Sequence, residues 1–128
     1  MVQRVAQLFG VVFLLVGILG FWTTGMNMDA NMDTAPKLLG LFHVNAVHNI
    51  VHLLFGVWGL LAARTVAGAV TYARVGGAIY ILLAICGYFI PTTFGFIPIG
   101  GNDIWLHGLI GIVLLIAGMQ AGRRAVPA

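Results

Sequence analysis

Charge is scarce in this chain: Asp, Lys and Arg make up 7% of 128 residues, against 61% hydrophobic residues and a mean hydropathy of +1.06. That balance excludes an ordinary soluble domain, in which about a quarter of residues are charged. The formal charge of +3 does not point to nucleic acid, because the basic residues stand singly or as one pair and form no polybasic cluster. Cysteine is limited to Cys86, so no intrachain disulfide forms and no Cys-x-x-Cys or covalent haem motif exists. Cys86 is expected to be a small buried apolar side chain. Glycine-rich phosphate loops, paired catalytic carboxylates and a serine nucleophile beside a base are equally missing.

What is present is long and apolar. Four stretches, 5–24, 45–63, 76–90 and 104–121, each approach the roughly 20 helical residues that cross a hydrocarbon core of about 30 Å. The expected fold is all-α, a single integral membrane domain over residues 1–128 built as a four-helix transmembrane bundle. The run from Val5 to Trp22 is longer than a secretory h-region and no Ala-x-Ala-like site follows it, so it reads as a retained first span. Arg4, Arg64, Arg74, Arg123 and Arg124 fall on one side, which the positive-inside rule makes cytoplasmic, placing both termini inside. Lys37 and all three acids, Asp29, Asp33 and Asp103, fall on the other.

Each stretch carries small or polar residues at three- and four-residue steps. Gly10, Phe13, Gly17, Gly20 and Thr24 mark the first, and Asn45, His48, Asn49, His52, Gly56, Gly59 and Ala63 the second. Gly77, Tyr80, Ala84, Gly87 and Pro91 mark the third, and Asp103, His107, Gly111, Gly118 and Gly122 the fourth. Such faces suit the interior of a bundle, leaving Leu, Ile and Val to lipid. Trp22 and Trp105 fit an outer aromatic belt, while Trp58 lies deeper. The segment Leu38–Phe42 reads as a short interfacial stretch leading into the second span.

His48 stands sixteen residues from Arg64 and His107 sixteen from Arg123, so both come to roughly 24 Å above the inner boundary at about 1.5 Å per residue. His52 lies one turn deeper and Asp103 one turn shallower, with Gly20 in the same layer and Tyr88 near it. The expectation is an outer-leaflet pocket walled by His48, Asn49, His52, Asp103 and His107, with Asn45, Asn102 and His43 near its mouth.

Ionisable residues within a membrane usually face a partner or a cavity. His48, His52 and His107 form a three-ligand set suited to a metal ion, zinc or copper, with Asp103 available to orient His107 or act as a base. Asn49 and Asp103 are the polar groups expected beside a bound cofactor. Position 49 is Asn, so the set is not the His-Glu-x-x-His motif. Haem b, held non-covalently between His107 and a histidine of the second span, is the next choice. Met26, Met28 and Met32 could supply soft thioether ligands for copper(I) and, with His43, feed the ion toward the pocket. The competing reading is a non-catalytic scaffold whose histidines and asparagines are interhelical hydrogen bonds, partnered by itself or another membrane protein. An outward-facing Gly118-x-x-x-Gly122 would support it.

The segments KLLGLFHVNAVHNIVHLLFGVWGLLAAR, RVGGAIYILL and GGNDIWLHGLIGI resemble small bacterial four-span membrane proteins grouped as domain-of-unknown-function family 4383. The resemblance covers nearly the whole chain. It implies an α-helical protein of the bacterial plasma membrane, with His48, Asn49, His52, Asn102, Trp105 and His107 as the matching motif residues, and it implies no particular activity. Met26, Met28, Met32 and His43 stand outside the pattern.

Overall fold

Two side-chain caps decide where the middle helices begin. Asn45 Oδ1 accepts from the His48 amide at 2.9 Å, and Thr65 Oγ1 accepts from the Gly68 amide at 3.0 Å. Each satisfies one of the orphan donors at a helix start. The computed structural model describes residues 1–124. These form α1 (Val2–Thr24), a hairpin of β1 (Lys37–Leu38) and β2 (Phe42–His43), α2 (Ala46–Ala62), α3 (Val66–Phe89), a 3-10 turn (Thr93–Gly95) and α4 (Asn102–Arg124). Three of the four helices, α1, α3 and α4, are long and apolar enough to cross a membrane.

α3 starts ten residues before the expected boundary at 76. Thr71, Arg74 and several small residues dilute the hydropathy of its first turns, but the Thr65 cap starts the helix at Val66. Arg74 therefore does not flank the α2–α3 link; it lies inside α3. Its Nε donates to the Gly118 carbonyl at 3.1 Å. A Cβ added at Gly122 would collide with the Arg74 guanidinium, and one at Gly118 would lie 2.8 Å from Arg74 Cγ. The Gly118–Gly122 pair thus faces α3 within the bundle, which removes the outward glycine stripe expected to support self-association.

α2 has 17 residues, about 25 Å at 1.5 Å per residue, a few ångströms less than the hydrocarbon thickness of about 30 Å. It begins beneath the two long loops. The Ala46 amide donates to the Asn27 carbonyl at 2.8 Å, and the Asn45 amide group donates to the Phe96 carbonyl at 2.8 Å and to Met28 at 3.3 Å. The stretch Leu38–Phe42 is not a continuous interfacial segment: it folds as a hairpin with Lys37 opposite His43 and Leu38 opposite Phe42. Leu39 and Leu41 at its tip are exposed. Asn102 ties the hairpin to α4 by donating to the Leu41 carbonyl at 2.9 Å.

α1 packs chiefly on α2 and α3 on α4, while α1 and α4 barely meet. Both close pairs rest on glycine. A Cβ at Gly59 would lie 2.9 Å from Gly10 Cα, and a Cβ at Gly111 would lie 2.8 Å from the Ile81 nitrogen and 2.9 Å from the Gly77 oxygen. Such backbone approach supplies dispersion contacts that hold the helices together. Leu8, Leu15, Ile18, Leu54, Leu82 and Ile112 point outward. Trp22 and Trp105 are also exposed, whereas Trp58 packs on Phe55 and Tyr72. Cys86 is half-buried and does not join the core.

Gly111→Val should lower stability by about 1–3 kcal/mol through overpacking against backbone. Gly108→Ala, whose added carbon meets only Ala84 Cβ at 3.8 Å, should be neutral or gain up to about 1 kcal/mol of helix propensity. Thermal unfolding in detergent, followed by circular dichroism, measures both.

Candidate metal centre

The Asn45 cap fixes the first turn of α2 and so fixes His48, whose backbone amide it receives. His52 follows one turn on, on the same face, and the two imidazoles lie 4.5 Å apart between ring centroids. From α4 His107 approaches His48 to 5.9 Å between centroids. One candidate ligand atom from each of the three histidines can be chosen so that all lie within 4.8 Å of one another. The equal depths expected for His48 and His107 are thus realised as contact.

All four ionisable members are buried: His48 is 3% exposed, His52 8%, His107 2% and Asp103 2%. Asp103 makes no hydrogen bond to His107, its neighbour one turn away on α4, although both line one cavity. Its Oδ2 lies 3.9 Å from His48 Nδ1. The Nδ1 atoms of His48, His52 and His107, together with Asp103 Oδ2 and the Tyr80 hydroxyl, find no hydrogen-bond partner among the described residues. Leaving a buried donor or acceptor unpaired costs about 1–3 kcal/mol each, so this concentration needs a reason.

Tyr80 is the residue that the depth estimate overlooked. Measured from the true start of α3, it is fourteen residues above Val66, just as His48 is fourteen residues from Ala62, about 21 Å in each case. Its ring meets His107 edge-on at 5.3 Å and stacks on Phe13 at 5.3 Å. Phe13 also stacks on His52 at 5.7 Å. Tyr88, placed near the layer by counting from Arg74, is exposed on the outer surface. The Thr65 cap was the signal in the sequence that would have corrected the count.

Other expected members have different duties. The Asn49 amide turns to α1, where Nδ2 donates to Thr24 Oγ1 at 2.9 Å and Oδ1 faces Gly20 so closely that a Cβ there would collide with it. Asn45 joins α2 to both loops, and Asn102 joins α4 to the hairpin while receiving the Trp105 indole at 3.2 Å. His43 is buried in the hairpin with Nδ1 3.3 Å from the Ala35 carbonyl. Met26 and Met28 are exposed, whereas the Met32 methyl lies over the Gly100–Gly101 backbone. The first loop is held by its own side chains, each of Asn27, Asp29 and Asn31 accepting from the amide two residues on. Thr34 donates to Asp29 at 2.6 Å, and this bond, with that from the Asn31 amide, holds the Asp29 carboxyl below its usual range.

Two cavities reach the cluster. A small one of about 40 Å³ lies between His48, His52, His107 and Tyr80, beneath Ile97 and Ile99. It exceeds the 10–15 Å³ or so that a single water requires. A larger one of about 260 Å³ opens between α1 and α4 and has His52, Asp103 and His107 among its walls.

The bundle and its buried cluster define a class: a small helical protein, three of whose four helices are long and apolar enough to cross a membrane, with polar groups that converge near one end of its interior. The chain belongs to the family described as Domain of unknown function (DUF4383), whose model matches residues 3–120. No curated protein and no solved structure matches it. The matched region contains the starts of α2, α3 and α4 and every member of the histidine cluster.

Asn45→Ala removes the α2 cap and both amide bonds to the loops, and should cost about 1–3 kcal/mol. Asn45→Asp keeps the cap acceptor and loses the donors, so its thermal unfolding midpoint should fall between those of the natural chain and Asn45→Ala.

Proposed function

We propose that this is a multi-pass protein of the bacterial plasma membrane, with both termini cytoplasmic, whose outer-leaflet pocket binds one metal ion through His48, His52 and His107. Zinc or copper suits a set of imidazoles. The orientation is supported by Val2, Val66 and Arg124 lining one cavity, which brings the chain's helical ends together beside Arg4 and Arg64.

The observation that carries the reading is the group of three unpartnered Nδ1 atoms around a cavity of about 40 Å³. In a tetrahedral zinc site with Zn–N bonds of about 2.0–2.1 Å, ligand nitrogens lie roughly 3.3 Å apart. Candidate ligand atoms already within 4.8 Å reach that spacing by small ring rotations. Asp103, 3.9 Å from His48 Nδ1, would offset the charge of the ion. The bound ion would supply Lewis acidity or a redox couple; the protein supplies a dry pocket and fixed imidazoles. Asn49, which was expected beside the cofactor, supports the site by fixing α2 on α1.

Haem b is the second reading, and the close packing of His48, His52, His107 and Tyr80 favours an ion over a macrocycle. The scaffold reading, with itself or another membrane protein as partner, draws support from Asn45 and Asn49, which do make interhelical or loop hydrogen bonds. It draws little from the three histidines: their Nδ1 atoms find no partner among the described residues, although the His48 ring also faces the backbone of His43 and Pro98.

Protein purified in detergent should carry zinc or copper near one ion per chain, lost in His48→Ala and in His107→Ala while the helical circular dichroism is retained. A Soret band would select haem instead, and neither metal nor haem in protein reloaded with zinc or copper would leave the scaffold. Ligating imidazoles must be neutral, so acidification adds protons in competition with the ion. Affinity should therefore fall as pH falls and recover on return to neutral; a pH-independent affinity would remove the histidines as ligands.

A further inference from the structure

α1 and α4 meet at few points, and the cavity of about 260 Å³ opens between them. Its outer wall is the exposed, apolar surface of α1 around Val12 and the hairpin residue Leu39, which in a membrane faces hydrocarbon and not water. Its polar groups are confined to His52, Asp103 and His107, each more than nine-tenths buried and each with an unpartnered atom. Phe9, Phe13 and Phe42 contribute three rings to the same walls.

We propose that this cleft is a binding site, reached sideways from the membrane, for a lipid-soluble phenol or hydroquinone whose hydroxyl meets Asp103 and the imidazoles and whose ring lies among the three phenylalanines. The site goes beyond the metal reading and does not require an ion.

Three features select that chemistry. The volume lies just below the roughly 300–1,000 Å³ of pockets that hold drug-sized ligands, which suits one substituted ring with its tail left in lipid. A hydroxyl can donate to Asp103 Oδ2 or accept from an imidazole, so it satisfies groups that a lipid tail would leave unpaired. The walls contain no Lys or Arg, so a carboxylate or phosphate head would enter without a counter-charge and pay its full desolvation. Aromatic walls then favour a ring over an alkyl alcohol, since offset and edge-to-face contacts add to burial.

The test uses the full chain in phosphatidylcholine nanodiscs and a pair of photoprobes: para-nonylphenol bearing a diazirine in its chain, and the matching nonylbenzene without the hydroxyl. Labelling by the phenol should concentrate on Phe9–Val16 and Leu106–Ile110, be competed by unlabelled para-nonylphenol, and exceed that by the nonylbenzene by about five-fold, the order expected for one hydrogen bond. It should occur in chelator-treated protein, so that it does not depend on the metal reading, and zinc held by His52 and His107 would compete with it. Val16→Trp, filling the cleft, should abolish the labelling, and the exposed Val11→Trp should not. Should Val16→Trp fail to fold, Leu106→Trp narrows the cleft from the other wall, and the two-probe comparison needs no variant. Equal labelling by both probes would mean that a lipid tail fills the groove. That result, labelling spread over all lipid-facing helices, or labelling undiminished in the filled variants would overturn the proposal.

Discussion

The fold depends on backbone meeting backbone at glycine. Gly10 against Gly59 and Gly77 against Gly111 bring α1 to α2 and α3 to α4 at distances that no side chain tolerates. Because the helices are drawn together in two pairs, the seam between α1 and α4 can stay loose without loss of the bundle. The two pairs are joined by aromatic rings. Phe13 of α1 touches Tyr80 of α3, His52 of α2 and Phe55 of α2, so one ring spans three helices at the level of the polar cluster. Rigid pairing and a shared aromatic floor hold three imidazoles in an interior where each pays for its burial.

That interior divides its polar residues by duty. Asn45, Asn49 and Asn102 spend their amides on carbonyls and a hydroxyl of neighbouring segments, and they explain why the loops close over α2. The histidines, with Asp103, Tyr80 and the Oδ1 of Asn49, keep atoms uncommitted. A bundle that needed only hydrogen-bond glue would show the reverse, since an imidazole facing a carbonyl costs less than one facing other imidazoles.

Much of this was legible in the sequence, for reasons that particular residues make plain. The glycine faces of α1, α2 and α4 were visible because small residues recur at helical spacing, and most of those residues are buried, with Thr24, Ala63 and Gly122 half-buried. The meeting of His48 and His107 followed from counting residues along straight helices. The count failed on α3, where Arg74 resembles a boundary marker but is absorbed by a carbonyl left accessible at Gly118, and Tyr88 was named in place of Tyr80. The direction of the Asn49 amide and the pairing of Asp103 with His48 could not be read, because both depend on how α2 is rotated against α1 and α4. The hairpin was hidden for a similar reason: its turn passes through left-handed backbone at Leu39 as well as Gly40, and leucine gives no warning of such a turn.

The Asn45 side chain has a kinetic meaning. One amide group holds the Met28 carbonyl of the first loop and the Phe96 carbonyl of the second, so neither loop lifts from the end of α2 without disturbing the anchor of the other. The roof over the histidines is therefore a single cooperative unit. The two loops are thus expected to lift together in one step, governed by an asparagine whose side chain touches none of the three imidazoles.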